Sequence, residues 1–106
     1  MSRLTESNLK RYNKEGFLAP IDAISFEDAE TLQAHYYKVK QNSNVDIDSI
    51  LRSKPHLVFP WLYDLVKNPA ITDPVSSILG PNLLAWGSSF FAKSANKPGF
   101  VSWHQD

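Results

Sequence analysis

The sequence predicts an α+β fold, with helices in about the first 80 residues and β-strands after them. Apolar residues recur at helical spacing in the front part of the chain, most clearly between Phe26 and Val39. The turn signal Gly80-Pro81-Asn82 is followed by an aromatic, strand-like run from Leu83 to Lys93. A loop-forming stretch then leads into a second strand-like run, Phe100–Asp106. At 106 residues the chain is one domain or part of one.

The first helix is predicted over about Glu6 to Glu15. Thr5 has the short hydroxyl side chain that caps a helix amino terminus. Gly16 suits the residue after the last turn, where a left-handed conformation is common. The chain is expected to leave this helix as an extended segment through Pro20.

The second helix is predicted over about Phe26 to Gln41. Ser25 and Asp28 have the spacing of a capping box, with Asp in place of the usual Glu or Gln. Behind this signal, Ala29 and Leu32 continue the apolar spacing. Asn42-Ser43-Asn44 is expected to break this helix, and Val45-Asp46-Ile47-Asp48 is predicted to continue as a polar loop.

Two short helices are predicted before the strands. Pro60 fits the first turn of a helix that runs to Lys67, because proline lacks the N–H that a first turn leaves unpaired. Asn68-Pro69 is expected to end that helix. A further helix through Leu79 is predicted to begin at Asp73.

The run Leu83–Lys93 has two unlike faces if it is a strand. One face carries bulky residues that suit packing against the helices: Leu84, Trp86, Ser88, Phe90 and Ala92. The other face is small in its middle, which leaves room for a ligand, and it includes Ser89 and ends at Lys93. Lys93 could supply a cation for a carboxylate. The alternative is a strand covered closely by a neighbouring element, with Lys93 in solvent.

His104 and Asp106 are candidate metal ligands. Residues two apart on a strand point to the same side, so the imidazole and the carboxylate could face one ion. A His-x-Asp pair supplies two corners of the two-His-one-carboxylate site of non-haem Fe(II) oxygenases. Solvated polar side chains are the alternative interpretation of so short a pattern.

Composition excludes several classes of function. Lys plus Arg and Asp plus Glu both number 11, so no basic surface for nucleic acid or membrane is expected. The chain has no cysteine, so a metal would need His and carboxylate ligands. No secretory or membrane-spanning segment is recognisable, which predicts a soluble, cytoplasmic protein.

Several stretches together resemble the phytanoyl-CoA dioxygenase family of Fe(II)- and 2-oxoglutarate-dependent oxygenases. These stretches are Tyr12-Asn13-Lys14-Glu15-Gly16-Phe17-Leu18, Ile78-Leu79-Gly80-Pro81-Asn82-Leu83-Leu84-Ala85-Trp86, Phe90-Phe91-Ala92-Lys93 and Trp103-His104-Gln105-Asp106. The likeness covers most of the chain and is least clear between Gln41 and Ser53. The order and spacing of the four stretches indicate the family more specifically than any single stretch does.

The resemblance implies the first strands of a double-stranded β-helix, the cupin-like jelly roll, with helices packed outside. It makes His104 and Asp106 two Fe(II) ligands and Ser89 a residue that helps line the 2-oxoglutarate pocket. Lys93 ends the same face and could contact 2-oxoglutarate or an acidic substrate. The family's third ligand and its 2-oxoglutarate-binding Arg have no counterpart here. His35 and His56 precede the predicted barrel and are poor substitutes for that ligand. The chain is therefore expected to be an N-terminal portion, inactive alone.

The implied reaction is hydroxylation of a small organic substrate or acyl thioester, using O2. Asp106 favours a hydroxylase, because related halogenases lack the carboxylate. Two other interpretations stay open: a small α-rich non-catalytic binding module with a coincidental His-x-Asp, and weak metal binding without catalysis. The sequence does not predict the substrate or the oligomeric state.

Overall fold

The computed structural model describes residues 3–42, 44 and 47–105. Five α-helices and one short 3-10 turn make up the regular structure of that part. They are α1 (Glu6–Glu15), α2 (Phe26–Asn42), α3 (Ile47–Arg52), the 3-10 turn (Pro55–Leu57), α4 (Pro60–Val66) and α5 (Pro69–Leu79). None of these helices is long and apolar enough to cross a membrane.

The capping signals of α1 and α2 form as predicted. The amide of Asn8 donates to Thr5 Oγ1 at 3.2 Å, and the Thr5 amide donates to Asn8 Oδ1 at 3.2 Å. Gly16 ends α1 in the left-handed conformation, with φ of 79°. At α2, the amide of Asp28 donates to Ser25 Oγ at 3.0 Å, and the carboxylate accepts in return from the Ser25 amide at 3.3 Å. Local chemistry alone therefore sets both helix starts.

The prediction for α5 is wrong at its beginning. Asn68 caps this helix by accepting from the Ala70 amide at 2.9 Å, and Pro69 takes the first position. Asn68-Pro69 was expected to end the preceding helix, but it begins α5. Asp73 lies inside it, where its carbonyl accepts from Ser76 Oγ at 2.8 Å. Pro74 is tolerated in the helix interior although it lacks the N–H that would bond the preceding turn.

Helix α3 was not predicted. Ile47 was assigned to a polar loop, but it begins α3 and is only 8% exposed. Leu51, one turn later, is 2% exposed. The pair at i and i+4 makes an apolar face on a helix of only six residues, too short for periodicity to stand out from the polar sequence around it.

The core lies in the helical centre, which is formed by α3, the 3-10 turn and α4. Leu51, Leu62 and Pro55 are among its most buried residues, whereas α1 and α2 contain no buried residue. One long-range bond ties the amino terminus to α5, from the Leu4 amide to Ser77 Oγ at 3.0 Å. The radius of gyration is 16.2 Å. About 13 Å is usual for a compact domain of this length, so the chain is loosely packed.

The predicted α+β fold class is wrong: residues 3–42, 44 and 47–105 contain helices and no β-strand. The carboxyl-terminal segment, residues 83–105, was expected to provide the first strands of a jelly roll. Its turn does form, with the Lys97 amide donating to the Ser94 carbonyl at 3.3 Å. No ladder of backbone hydrogen bonds joins the runs on its two sides. A strand needs such a ladder with a neighbouring strand, and high β-propensity does not replace it.

The carboxyl-terminal segment is anchored to the helical centre at one place. The Phe90 amide donates to the Leu51 carbonyl at 2.8 Å, and the Lys54 amide donates to the Ser88 carbonyl at 3.1 Å. Ser88 and Phe90 are half-buried here, while Ser89 and Phe91 are exposed. The predicted inward face is therefore confirmed at these two positions. It fails at the other three positions: Leu84 is 85% exposed, Trp86 is 83% exposed, and Ala92 is exposed as well.

Candidate functional site

His104 lies exposed near the end of the carboxyl-terminal segment. Its Nδ1 is 2.9 Å from the carbonyl oxygen of Ser102. A carbonyl oxygen can only accept, so Nδ1–H is the donor in this contact. Metal-binding histidines commonly have this arrangement, in which a backbone carbonyl orients the ring through its other nitrogen.

Asp106, the second predicted ligand, lies outside the described residues. The reason for expecting its carboxylate beside His104 was the alternation of side chains along a strand. No strand forms between residues 100 and 105, so that alternation is not imposed on the pair. Among the residues that the structure describes, no group of three or more His, Asp or Glu side chains is placed to hold a metal ion.

Ser89 and Lys93, the predicted cosubstrate residues, line one groove. The groove has a volume of about 580 Å³ and runs between the end of α3 and the two arms of the carboxyl-terminal segment. The Lys93 ammonium lies 3.3 Å from the Lys97 carbonyl oxygen and 3.5 Å from that of Ser94. The Lys93 ammonium thus donates to carbonyl groups of its own turn. Lys93 and Ser89 lie on the same side of the segment, in the lining of this groove. His104 is not among the lining residues of this groove.

The other two histidines have structural surroundings. His56 is 6% exposed, and its Nδ1 lies 2.5 Å from Ser88 Oγ. His35 stacks on Trp61, with ring centroids 5.3 Å apart and an angle of 12° between the rings. That neither histidine replaces a missing iron ligand stays a prediction.

Ser88 is a residue whose importance the sequence did not reveal. Its side chain bonds the buried His56 ring, and its carbonyl accepts from the Lys54 amide. It therefore attaches the carboxyl-terminal segment to the helical centre by both side chain and backbone. The sequence separation of 32 residues between Ser88 and His56 leaves no local pattern that could predict the pair.

A second cavity lies between α2, α4 and the carboxyl-terminal segment; we call it the aromatic pocket. Its volume is about 490 Å³, and the rings of Tyr36, Trp61 and Phe90 meet in its wall. Tyr36 stacks on Phe90 with centroids 5.7 Å apart, and Trp61 meets Phe90 edge-on at 6.1 Å. Lys40 and Lys93 are also among the lining residues. The helices that carry Tyr36 and Trp61 are the ones expected to form the alternative α-rich binding module, but no sequence pattern joined these rings to Phe90.

The donor set that the structure describes suits one corner of an iron site. The imidazole of His104 is exposed, and imidazole is a ligand type that Fe(II) accepts. The described contacts of His35 and His56 do not bring a second imidazole to this ring.

Comparisons with models of protein families, with curated proteins and with solved structures found no match for this chain.

Proposed function

We propose that this chain is part of a non-haem Fe(II)- and 2-oxoglutarate-dependent dioxygenase that hydroxylates a small organic substrate or acyl thioester. The observation that carries the proposal is the ring orientation of His104, two positions before a carboxylate residue. Its Nδ1–H donates to the Ser102 carbonyl, which is the orientation that metal-binding histidines use. The family resemblance of the sequence around Trp103-His104-Gln105-Asp106 is its second support.

In this proposal His104 and Asp106 would hold the iron ion. When bound, Fe(II) would supply the oxidising chemistry for hydroxylating a C–H bond, with 2-oxoglutarate and O2 as cosubstrates. The Ser102 carbonyl would orient the His104 ring by accepting from Nδ1–H. Ser89 and Lys93 offer a hydroxyl and a cation to the carboxylates of 2-oxoglutarate, and they line a common groove for it.

An anaerobic calorimetric titration of the full chain with Fe(II), with and without 2-oxoglutarate, tests the proposal. We expect weak Fe(II) binding, because one imidazole and one carboxylate are fewer ligands than a complete site has. 2-Oxoglutarate should strengthen that binding by chelating the same ion. The variants His104→Ala and Asp106→Asn should lose it.

The matched control is His35→Gln, which removes an exposed imidazole from α2. This variant should bind Fe(II) as the parent chain does. Equal binding by His104→Ala and the parent chain would contradict the proposal. It would favour the α-rich binding module with a coincidental His-x-Asp, which stays a prediction from the sequence.

A further inference from the structure

The wall of the aromatic pocket is built from α2, α4 and residues 90–94. Among the described residues predicted for the iron and cosubstrate sites, Lys93 lines it and His104 and Ser89 do not. Its volume of about 490 Å³ falls within the range of small-molecule sites, which are concave, mostly apolar and lined by aromatic side chains.

The rings in the wall select a flat apolar ligand. Tyr36 and Trp61 both contact the Phe90 ring, one by stacking and one edge-on. These geometries are the ones that aromatic pairs prefer, and a planar ligand ring can add to such a cluster in the same way. The aliphatic side chains of Leu32 and Leu65 complete the apolar lining.

The charged groups in the lining are of one sign. Lys40 and Lys93 line the pocket, whereas no Asp or Glu of the part that the structure describes does. The Lys40 ammonium lies 3.5 Å from the Tyr36 hydroxyl oxygen and 5.7 Å from the centroid of that ring. The cation and the hydroxyl are thus adjacent donors beside the aromatic wall, and two adjacent donors suit the two oxygens of a carboxylate.

Lys40 suits this task better than Lys93. The Lys93 ammonium already donates to carbonyl oxygens of its own turn, at 3.3 and 3.5 Å. Lys40 is exposed on α2, and its described contacts are those with Tyr36. A ligand carboxylate there would meet the cation without displacing a backbone hydrogen bond.

We propose that the aromatic pocket binds a small aromatic carboxylate, with its ring against Tyr36, Trp61 and Phe90 and its carboxylate at Lys40 and the Tyr36 hydroxyl. The carboxylate contacts of this site do not use iron, although the pocket shares Lys93 with the groove proposed for 2-oxoglutarate. The formal net charge of the chain is zero, but a carboxylate can still be recognised here because the lysine cations lie locally at the pocket.

Calorimetric titration of the full chain with naphthalene-2-carboxylate tests the proposal, with 2-naphthamide as the uncharged probe of the same shape. The carboxylate should bind more tightly than the amide by about two- to fivefold, the range expected for one solvent-accessible ion pair. Raising the salt concentration should reduce this preference by screening.

Lys40→Gln should abolish the preference for the carboxylate while both probes still bind through their rings. Lys38→Gln is the matched control, because Lys38 is exposed on the same helix and does not line the pocket. The control should keep the full preference. The proposal is overturned if neither probe binds at millimolar concentrations, if both bind equally, or if the two variants lose the preference alike.

Discussion

The helical centre and the carboxyl-terminal segment differ in how their apolar residues are covered. In the centre, Leu51 and Leu62 are 2% and 4% exposed within a run of short helices. In the segment, Phe91 and Phe100 are 89% and 90% exposed. Both regions are rich in apolar side chains, so hydrophobicity does not separate them. What separates them is whether neighbours close in sequence can cover those side chains.

Short-range neighbours are enough for the centre. The Phe59 amide bonds the Pro55 carbonyl at 2.9 Å, and the Tyr63 amide bonds the Phe59 carbonyl at 3.1 Å. These bonds link the 3-10 turn directly to α4. The carboxyl-terminal segment has no such local partner, since a strand must pair with another strand.

The largest expected effect is in the helical centre. Leu62→Ala should lower the free energy of unfolding by about 2–5 kcal/mol, because it removes buried apolar contacts and leaves a cavity. Urea denaturation followed by circular dichroism measures this change. Leu84→Ala, at a residue 85% exposed in the carboxyl-terminal segment, should change stability by less than about 0.5 kcal/mol. Similar losses for the two variants would remove the contrast between the regions.

The next largest effect on stability is expected at Ser88, where the carboxyl-terminal segment is attached to the helical centre. Ser88→Ala removes the hydroxyl that bonds the buried His56 ring, so stability should fall by about 1–3 kcal/mol. Ser89→Ala changes the next residue, which is exposed, and should leave stability almost unchanged. Urea denaturation of the pair measures the attachment of the segment. If Ser89→Ala were the more harmful change, the anchor would not lie at Ser88.

The smallest effect concerns a purely local signal. Thr5→Ala removes the acceptor for the Asn8 amide and should cost about 1 kcal/mol of stability. Thr5→Ser keeps the hydroxyl and should retain most of the stability. Thermal unfolding followed by circular dichroism compares the two. An undiminished stability of Thr5→Ala would show that α1 is held by its contact with α5 and not by its cap.

The sequence predicted what local chemistry decides. The bounds of α1, the caps at Thr5 and Ser25 and the proline at the start of α4 all follow from residues within one turn of each other. The start of α5 was wrong because Asn68-Pro69 and Asp73-Pro74 are equally good starting signals. The first is used: the Asn68 side chain accepts from the Ala70 amide and Pro69 takes the first position, which places Asp73 inside the helix.

Contacts between residues far apart in the chain could not be predicted from the sequence. The predicted strands depended on partners that no local pattern specifies, and the bond between Ser88 and His56 spans 32 residues. The same holds for the candidate sites. His104 could be singled out from a tripeptide, whereas the aromatic pocket required Tyr36, Trp61 and Phe90 to be brought together from three parts of the chain.

The central claim is that His104, and not another histidine, holds a divalent metal ion together with Asp106. The chain has three histidines, so ring signals in a ¹H–¹³C NMR spectrum give the test its own internal controls. Paramagnetic Mn(II), added below one equivalent, should broaden the His104 signals first and leave those of His35 and His56. Asp106→Asn should abolish that selectivity. Equal broadening of all three rings, or unchanged selectivity in Asp106→Asn, would contradict the account.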